Sequence, residues 1–153
     1  MVLTISDRCA AGTADDKSGP AIIEHLHALD GVLVHRETVP DDVDRIRGVV
    51  TAWLGRCELI ITTGGTGVAE RDVTPEAIEP LIKRPLPGFG EIMRMNAFER
   101  TAMSILSRGG AGIAGRTLVV WLPGATKGVR ECLDWLTPAM RHACQFLRGE
   151  KPH

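Results

Sequence analysis

Apolar residues recur along the chain with two different spacings, and these spacings predict alternating strands and helices. Short runs rich in β-branched residues predict strands at residues 2–6, 32–39, 59–63, 111–113 and 117–122. Apolar residues at helical spacing predict helices that begin near Ser18, Asp42, Thr74, Glu91 and Thr126. Because proline has no amide hydrogen to donate, we expect Pro80 to shorten one helix and Pro138 to interrupt the last one.

The order of these elements predicts the fold class. Strands and helices alternate until the last two strands, which a short turn over residues 114–116 joins as a hairpin. We therefore predict an α/β protein, a three-layer α/β/α sandwich with a mainly parallel sheet and one antiparallel strand. A chain of 153 residues has the size of a single domain, so we expect one domain over residues 1–149 and a frayed tail over residues 150–153.

Two features of the apolar pattern concern packing. Residues 91–102 are rich in methionine, and we interpret these methionines as core residues rather than as a functional surface. The overlapping methionine-rich segment of residues 92–103 could also cover the surface of a second copy of the chain. Trp53 recurs with Ile46 and Val50 at helical spacing, which favours a place in the core over a ligand contact.

The composition argues against a polyanionic partner and against a membrane. The formal net charge is −1, and no run of lysine and arginine reaches the length of a nucleic-acid-binding patch. No apolar run approaches the length of a membrane span, and the first residues lack the features of a signal peptide. The cysteines are scattered without the close pairs of zinc or redox motifs. We therefore expect a soluble cytoplasmic protein with inert thiols.

The most informative stretch is residues 59–77, LIITTGGTGVAERDVTPEA. A buried strand ends at a turn with three glycines in residues 64–67, where the backbone can take positive φ and leave its amides free to face an anion. Asp72 follows, and then Thr74-Pro75, which is typical of a helix N-cap with proline in the first turn. A turn that merely needs glycine is the alternative, but the density of polar groups favours an anion-binding loop.

Polar residues follow each predicted parallel strand at its carboxyl end. In parallel sheets, ligands bind in the crevice beyond these ends, at one edge of the sheet. The ends here are Ser6-Asp7, Pro40-Asp41, residues 63–67 and residues 122–124. Predicted helices begin at the same edge, and their amides and dipoles favour anions. We therefore expect a ligand that carries phosphate.

Carboxylates at this edge suggest a metal ion. Asp41 and Asp72 are the nearest acids, and Mg²⁺ beside a phosphate usually takes one or two protein carboxylates. We interpret Asp42 instead as the N-cap of its helix. The same edge carries cations that are either phosphate clamps or solvated surface charges: Arg71, Arg108 and Lys127.

These motifs resemble those of the Mog/MoaB family, the molybdopterin adenylyltransferases of molybdenum cofactor biosynthesis, whose domain also occurs in gephyrin. TTGGTG followed by RDVTPEA carries the resemblance, with ISDR, VPDD, PGFGEIMR, ILSR and LPG in order over nearly the whole chain. The resemblance implies an α/β/α fold and a homotrimer. It also implies Mg²⁺-dependent transfer of AMP from ATP to the terminal phosphate of molybdopterin, with release of pyrophosphate.

The resemblance, together with the strand ends, assigns roles to individual residues. Asp41 and Asp72 would be catalytic and hold the metal. The nucleotide and its phosphates would be bound by Ser6, Asp7, Thr63, Gly64, Gly65, Thr66 and Gly67. The pterin substrate would be bound by Ser107, Arg108, Pro123, Gly124 and Lys127. A phosphate monoester is already an anionic nucleophile, so positioning and charge neutralisation suffice without a strong general base.

Some residues depart from the family pattern, and others help to distinguish an adenylyltransferase from proteins with a different function. Gly109-Gly110 stand where bulkier residues are usual and predict a looser loop, and Trp121 stands where a polar residue is common. We interpret Trp121 as a packing residue, with stacking on a pterin or adenine ring as the alternative. Asp72 favours an enzyme over a non-catalytic trimeric binding protein, the competing interpretation. A CinA-type pyrophosphatase would carry leucine in place of Thr66.

Overall fold

A computed structural model describes residues 1–150, so the predicted tail lies, apart from Glu150, outside the described residues. One sheet is formed by the strands β1 Val2–Ile5, β2 Arg36–Val39, β3 Leu59–Thr63, β4 Arg84–Pro85, β5 Gly110–Ala114 and β6 Thr117–Leu122. Their order across the sheet is β2-β1-β3-β6-β5-β4. Neighbouring strands are parallel except where they pair with β5. The predicted sheet, mainly parallel with one antiparallel strand, is confirmed.

Helices cover both faces of the sheet. They are α1 Asp7–Ala10, α2 Ser18–His25, α3 Val43–Trp53, α4 Thr74–Ile78, α5 Pro87–Phe98 and α6 Thr126–Leu147. On one face, α2, α5 and α6 contribute Ile22, Met93 and Leu133 to a buried core. On the other face, α3 and α4 contribute Ile46 and Ile78 to a second core. The predicted three-layer α/β/α sandwich is confirmed. None of the helices within residues 1–150 has the length and apolar content needed to span a bilayer.

Strand β6 supplies both cores from the middle of the sheet. All of its residues are buried, and successive side chains point to opposite faces. Leu118 and Val120 enter the core under α6, whereas Val119 and Trp121 enter the core under α3 and α4. A strand covered on both faces needs a continuous apolar run, which is why the sequence here reads TLVVWL.

Several predicted boundaries are wrong. Strand β2 begins at Arg36 rather than at residue 32, and Val32 before it is 83% exposed, because no layer covers that part of the chain. Helix α5 begins at Pro87, before the predicted Glu91, because proline is tolerated in a first helical turn. The edge strand Arg84–Pro85 was not predicted, since two residues that include a proline give no strand pattern.

The two prolines behave differently. Helix α4 ends at Ile78 and continues as a short 3-10 turn through Pro80, as predicted. Helix α6 runs through Pro138 without a break, so the predicted interruption is wrong. Buried residues lie on both sides of this proline, from Leu136 to Met140, so core packing on the sheet outweighs the loss of one helical hydrogen bond.

The methionines of the α5 region divide between core and surface. Met93 is buried, but Met95 is 66% exposed, so the core interpretation is wrong for Met95. Met103, just beyond the segment 91–102, is also 66% exposed. With neighbouring apolar residues they form an exposed surface, here called the α5 face: Ile92, Met95, Phe98, Met103, Ile105 and Leu106. Trp53 is half-buried at the margin of the second core, with its ring stacked on His35.

Candidate active site

A cavity of about 690 Å³ lies at the carboxyl ends of the central strands and is here called the main cavity. It is lined by Ser6 after β1, Asp41 after β2, residues 63–67 after β3 and residues 123–126 after β6. The structure therefore brings the predicted polar strand ends together at one edge of the sheet, where parallel sheets bind ligands.

The loop after β3 has a shape that requires glycine. Gly64 and Gly65 have φ values of 100° and 63°, in the left-handed region that favours glycine. A Cβ atom on Gly64 would overlap the carbonyl oxygen of Ile5, and one on Gly65 would overlap the hydroxyl of Thr74. The loop backbone therefore lies directly against β1 and α4.

Thr74 holds this loop from the side of α4. It is the first residue of the helix, with Val73 at the N-cap position, so the predicted N-cap role of Thr74 is wrong. Its hydroxyl donates to the carbonyl oxygen of Gly64 at 2.8 Å, and its amide donates to that of Gly65 at 3.0 Å. Both loop carbonyls are thus fixed towards α4.

The amides of the same loop are available to a ligand. Those of Gly65, Thr66 and Gly67 donate to no acceptor within residues 1–150, and all three residues line the main cavity. Helix α6 begins at this cavity too, and its N-cap residue Ala125 offers no side-chain acceptor to the first-turn amides. Free loop amides and an uncapped helix start both favour an anion, phosphate above all.

Asp41 and Asp7 are joined by two reciprocal hydrogen bonds. The amide of Asp7 donates to Oδ2 of Asp41 at 3.0 Å, and the amide of Asp41 donates to Oδ1 of Asp7 at 2.9 Å. Burial raises the pKa of Asp41 above its ordinary value, and the negative charges of Asp7 and Asp72 add to this effect. The Asp7 amide and the guanidinium of Arg71 oppose it. A carboxylate with a perturbed pKa in a cavity is typical of a functional site.

Asp72 faces the same cavity from the other side of the loop. Its Oδ2 accepts a hydrogen bond from the amide of Ala69 at 3.0 Å. A Cβ atom on Gly67 would come within 2.6 Å of that oxygen, so glycine is needed for the carboxylate to approach the loop. Arg71 also lines the cavity. Asp41, Asp72 and Arg71 therefore line the same cavity as the free amides.

Two of the predicted phosphate-binding hydroxyls have partners within the protein. Thr63 Oγ1 donates to the carbonyl oxygen of Pro123 at 2.7 Å, which ties the loop after β3 to the loop after β6. Ser6 caps α1, where its Oγ accepts a hydrogen bond from the amide of Cys9 at 3.3 Å. Both hydroxyls shape the wall of the main cavity.

The residues assigned to the pterin substrate are placed differently from one another. Ser107, Pro123 and Gly124 line the main cavity. Lys127 is exposed in the first turn of α6, outside the lining. The side chain of Arg108 lines a second cavity, of about 540 Å³, behind the loop. The structure therefore brings three of these five residues into the main cavity.

The loop around Gly109 is well ordered by hydrogen bonds, so the predicted looseness is wrong. The amide of Gly109 donates to Oγ of Ser107 at 3.3 Å, and Gly110 is the first residue of β5, opposite Trp121. Trp121 is 5% exposed, and its Nε1 donates to the carbonyl oxygen of Arg108 at 3.0 Å. The interpretation of Trp121 as a packing residue is confirmed.

Asp16 lines the main cavity but was not predicted from the sequence. Its carboxylate accepts hydrogen bonds from the hydroxyl of Thr4 at 2.7 Å, the amide of Gly19 at 2.9 Å and the guanidinium of Arg36 at 2.9 Å. Partial burial acts to raise the pKa of Asp16, but these hydrogen bonds outweigh it and lower the pKa overall. An aspartate three residues before a helical glycine is a weak capping signal that could have indicated it.

The carboxylates of the main cavity fit Mg²⁺ rather than a metal held entirely by protein. Within residues 1–150, histidine, cysteine, aspartate and glutamate side chains form no cluster of three that could hold a metal ion. Asp41 and Asp72 each use one oxygen to accept a backbone amide, which leaves the other oxygen of each for a cation. Mg²⁺ suits such a small donor set because it completes its shell with water and phosphate oxygens.

Comparison with known proteins identifies the family. Residues 1–142 match the family described as "Probable molybdopterin binding domain". Over 152 residues the chain is 41% identical to a molybdopterin adenylyltransferase of Helicobacter pylori strain J99, covering 97% of this chain and 86% of that protein. Over 160 residues it is 41% identical to gephyrin of Dictyostelium discoideum, covering 97% of this chain and 22% of gephyrin. The crystal structure of MoaB from Thermus thermophilus matches with a TM-score of 0.90 at 42% identity, covering 99% of this chain and 96% of that chain. The chain belongs to the molybdopterin-binding domain family.

Proposed function

We propose that the protein is a molybdopterin adenylyltransferase, which transfers AMP from ATP to the terminal phosphate of molybdopterin. The observation that carries the proposal is the loop of free amides at Gly65, Thr66 and Gly67, with the carboxylates of Asp41 and Asp72 in the same cavity. The 41% identity to a molybdopterin adenylyltransferase supports the choice of substrates. A volume of about 690 Å³ also suits small ligands, whose sites usually measure about 300–1,000 Å³.

In the proposed reaction, an oxygen of the molybdopterin phosphate attacks the α-phosphorus of ATP. A new phosphorus–oxygen bond forms as the bond from the α-phosphorus to its bridging oxygen breaks, and pyrophosphate leaves with the bonding electrons. The attacking phosphate is already anionic, so no general base is required. The chain must align the two phosphates and stabilise the charge on the oxygens of the α-phosphate. The loop amides, the first turn of α6 and Arg71 would supply that stabilisation.

We assign Mg²⁺ to Asp41 and Asp72. When bound, the ion would neutralise phosphate charge and polarise the reacting phosphate. The raised pKa of Asp41 supports the assignment, since a cation would stabilise the charge that burial disfavours and would also relieve the repulsion from the Asp7 and Asp72 carboxylates. Hydrogen bonds from the amides of Asp7 and Ala69 orient the carboxylates of Asp41 and Asp72, respectively.

We assign the nucleotide and the pterin to different sides of the main cavity. The nucleotide side comprises Ser6 and residues 63–67, where the free amides lie. Asp7 lies outside the lining and adjoins this side through its hydrogen bonds with Asp41. The pterin side comprises Ser107, Pro123 and Gly124, with Lys127 close to the opening at the start of α6. Thr63 joins the two sides through its hydrogen bond to Pro123, so the substrates would meet at that junction.

The reaction is tested by incubating the purified protein with molybdopterin, ATP and Mg²⁺. We expect adenylylated molybdopterin by mass spectrometry and pyrophosphate in equal amount, with neither formed when Mg²⁺ is chelated. A control without molybdopterin measures any hydrolysis of ATP alone. Tight binding of molybdopterin without adenylylation would contradict the proposal and support a non-catalytic binding protein.

We also propose that the protein is a homotrimer of the cytoplasm. The α5 face exposes large apolar side chains on adjacent segments, and apolar patches of this kind usually mark protein interfaces. Its residues Met103 and Leu106 also line the main cavity, so assembly would shield one wall of the site. The four cysteines carry free thiols, as is usual in a reducing compartment.

Sedimentation equilibrium tests the assembly. We expect the mass of three 16.5 kDa chains at micromolar concentration. A charge in the α5 face, Met95→Glu, should shift the protein towards smaller species, whereas Glu91→Gln on the same helix should not. A monomer mass for the unaltered protein would reject the trimer.

A further inference from the structure

We propose that Arg108 is a positioning residue that holds Asp72 and the loop after β3, residues 64–67, from the side of the second cavity. In this proposal Arg108 does not bind substrate. This inference rests on the proposed adenylyl transfer, and it reassigns a residue that the family resemblance places at the pterin. The side chain of Arg108 lines the second cavity, whereas the loop and Asp72 line the main cavity. Arg108 therefore acts through the wall between the two cavities.

The guanidinium of Arg108 has a protein acceptor for each of its nitrogens. Nε donates to the carbonyl oxygen of Gly67 at 2.8 Å. Nη2 donates to the carbonyl oxygen of Asp72, and Nη1 donates to the carboxylate of Glu76. All three acceptors belong to residues 67–76, the segment that runs from the glycine loop into α4. The planar group thus fixes both ends of the short connection that presents Asp72.

The backbone from which this side chain extends is also fixed. The amide of Arg108 donates to the carbonyl oxygen of Thr66 at 2.8 Å, and its own carbonyl accepts from Trp121 Nε1 at 3.0 Å. On either side, the carbonyls of Ser107 and Gly109 accept from Nη1 of Arg94 at 3.2 and 3.3 Å. Hydrogen bonds therefore fix both the backbone and the guanidinium of Arg108, which gives it the rigidity that a positioning residue needs.

Lysine cannot reproduce this arrangement. Its ammonium is a single point charge on a flexible stem, so it lacks the planar fork that reaches three acceptors in fixed directions. Arg108→Lys keeps the charge but should release at least one end of the segment at residues 67–76. Because small misplacements of reacting groups cost up to about a hundredfold in rate, the effect should appear in turnover.

Positioning and substrate binding make opposite predictions for the two ligands. If Arg108 contacted the pterin phosphate, its loss would weaken molybdopterin binding and leave the loop unchanged. If Arg108 orders the loop and Asp72, its loss should weaken ATP binding and turnover and leave molybdopterin binding intact. The free loop amides of residues 65–67 should then exchange their hydrogens with solvent faster in the variant.

The experiment compares Arg108→Lys and Arg108→Met with Arg130→Met. Arg130 is a matched control, an exposed arginine that pairs with Glu24 on the outer side of α6. Calorimetry measures binding of molybdopterin and of the non-cleavable analogue α,β-methylene ATP separately. Amide hydrogen exchange followed by mass spectrometry measures the order of residues 64–72, and product formation gives kcat and KM.

For both Arg108 variants we expect about tenfold weaker binding of the ATP analogue and a loss in kcat of about ten- to a hundredfold. Exchange in residues 64–72 should be faster, and molybdopterin affinity should stay within about twofold. Arg130→Met should change none of these quantities. If Arg108→Met does not fold, Arg108→Lys carries the test.

Weaker molybdopterin binding with unchanged exchange in residues 64–72 would overturn the proposal, as would unchanged turnover and exchange in both variants. Failure of the unaltered protein to form adenylylated molybdopterin would refute the proposed function instead. In that case the exchange measurement would still decide whether Arg108 orders the loop, so the two failures are distinguishable.

Discussion

A Cβ atom on Gly110 would lie 2.8 Å from Cζ2 of Trp121, so the glycine leaves the space that the indole fills. The two residues face each other as a pair in the β5–β6 register. This contact gives one physical reason for a glycine at position 110 and a tryptophan at position 121 to occur together. The indole in turn donates a hydrogen bond to the carbonyl oxygen of Arg108. The small glycine thus lets the large tryptophan side chain hold the loop at residues 107–109.

The first prediction concerns Gly110→Ala. The added methyl group must displace the indole of Trp121 or the backbone of β5, because real Cβ contacts are not this short. Overpacking of a buried site usually costs about 1–3 kcal/mol, so we expect a loss of that size in the free energy of unfolding. Urea unfolding followed by circular dichroism measures it.

Gly48→Ala is the control for that substitution. Gly48 is exposed in the middle of α3, and a Cβ atom there would meet nothing within 4 Å. Replacing a helical glycine should stabilise the protein by about 0.5–1 kcal/mol. Equal effects of the two substitutions would contradict the proposed contact with Trp121.

The second prediction compares neighbouring threonines of β3. Thr62 is fully buried, and its hydroxyl has no hydrogen-bond partner within residues 1–150. Thr62→Val removes this uncompensated hydroxyl and should stabilise the fold by about 1 kcal/mol. Thr63→Val removes the donor to Pro123 and should destabilise it by about 1–3 kcal/mol. Chemical denaturation of both variants should give shifts of opposite sign.

The third prediction separates the proposed metal ligand from the helix cap. Asp72→Asn keeps an acceptor for the Ala69 amide but removes the charge that Mg²⁺ needs, so we expect turnover to fall by about a hundredfold or more with little change in molybdopterin binding. Asp42 caps α3 by accepting from the amide of Arg45 at 2.8 Å. Asp42→Asn should alter stability by at most about 1 kcal/mol and leave turnover intact. Steady-state kinetics decides, and similar losses in both variants would refute the site assignment.

The fourth prediction concerns pH and Asp41. Its pKa is raised in the folded protein by burial and by the neighbouring carboxylates, so the folded state binds a proton more readily than the unfolded chain. Ionised Asp41 therefore costs stability at neutral pH, and the cost disappears as the pH falls through the raised pKa. We expect Asp41→Asn to be the more stable protein at neutral pH, by a margin that shrinks as the pH approaches the ordinary aspartate value of about 4. Unfolding free energies across this range test the sign, and a margin that grows on acidification would contradict it.

The sequence predicts those features of the site that depend on local chemistry. Glycines with positive φ, a capping aspartate at Asp42 and apolar runs at strand positions each leave a signal within a few residues. The parallel order of the strands then brings their ends together without any further information. The convergence of Asp41, residues 63–67 and Pro123 in one cavity follows from this rule.

Other features depend on partners that are distant in the sequence. Thr74 looks like a helix cap, but its hydroxyl donates to Gly64, which lies ten residues away. Arg108 looks like a free cation, but its acceptors lie 32 to 41 residues earlier in the chain. Pro138 looks like a helix break because the sheet that supports α6 is invisible in the local pattern. Tertiary packing decides each of these cases, so neighbouring residues alone do not predict them.

The hydrogen bond from Thr63 to Pro123 joins residues that are 60 positions apart. One wall of the main cavity is therefore translated long before the other, and β6 must be complete before it can pair with β3. Contacts between such distant segments form late, because the intervening chain must first close into a loop. A nascent chain that has left the ribosome only as far as α5 has the glycine loop but no opposite wall. The proposed site can therefore be complete only after Thr126 has been synthesised and β6 has paired with β3.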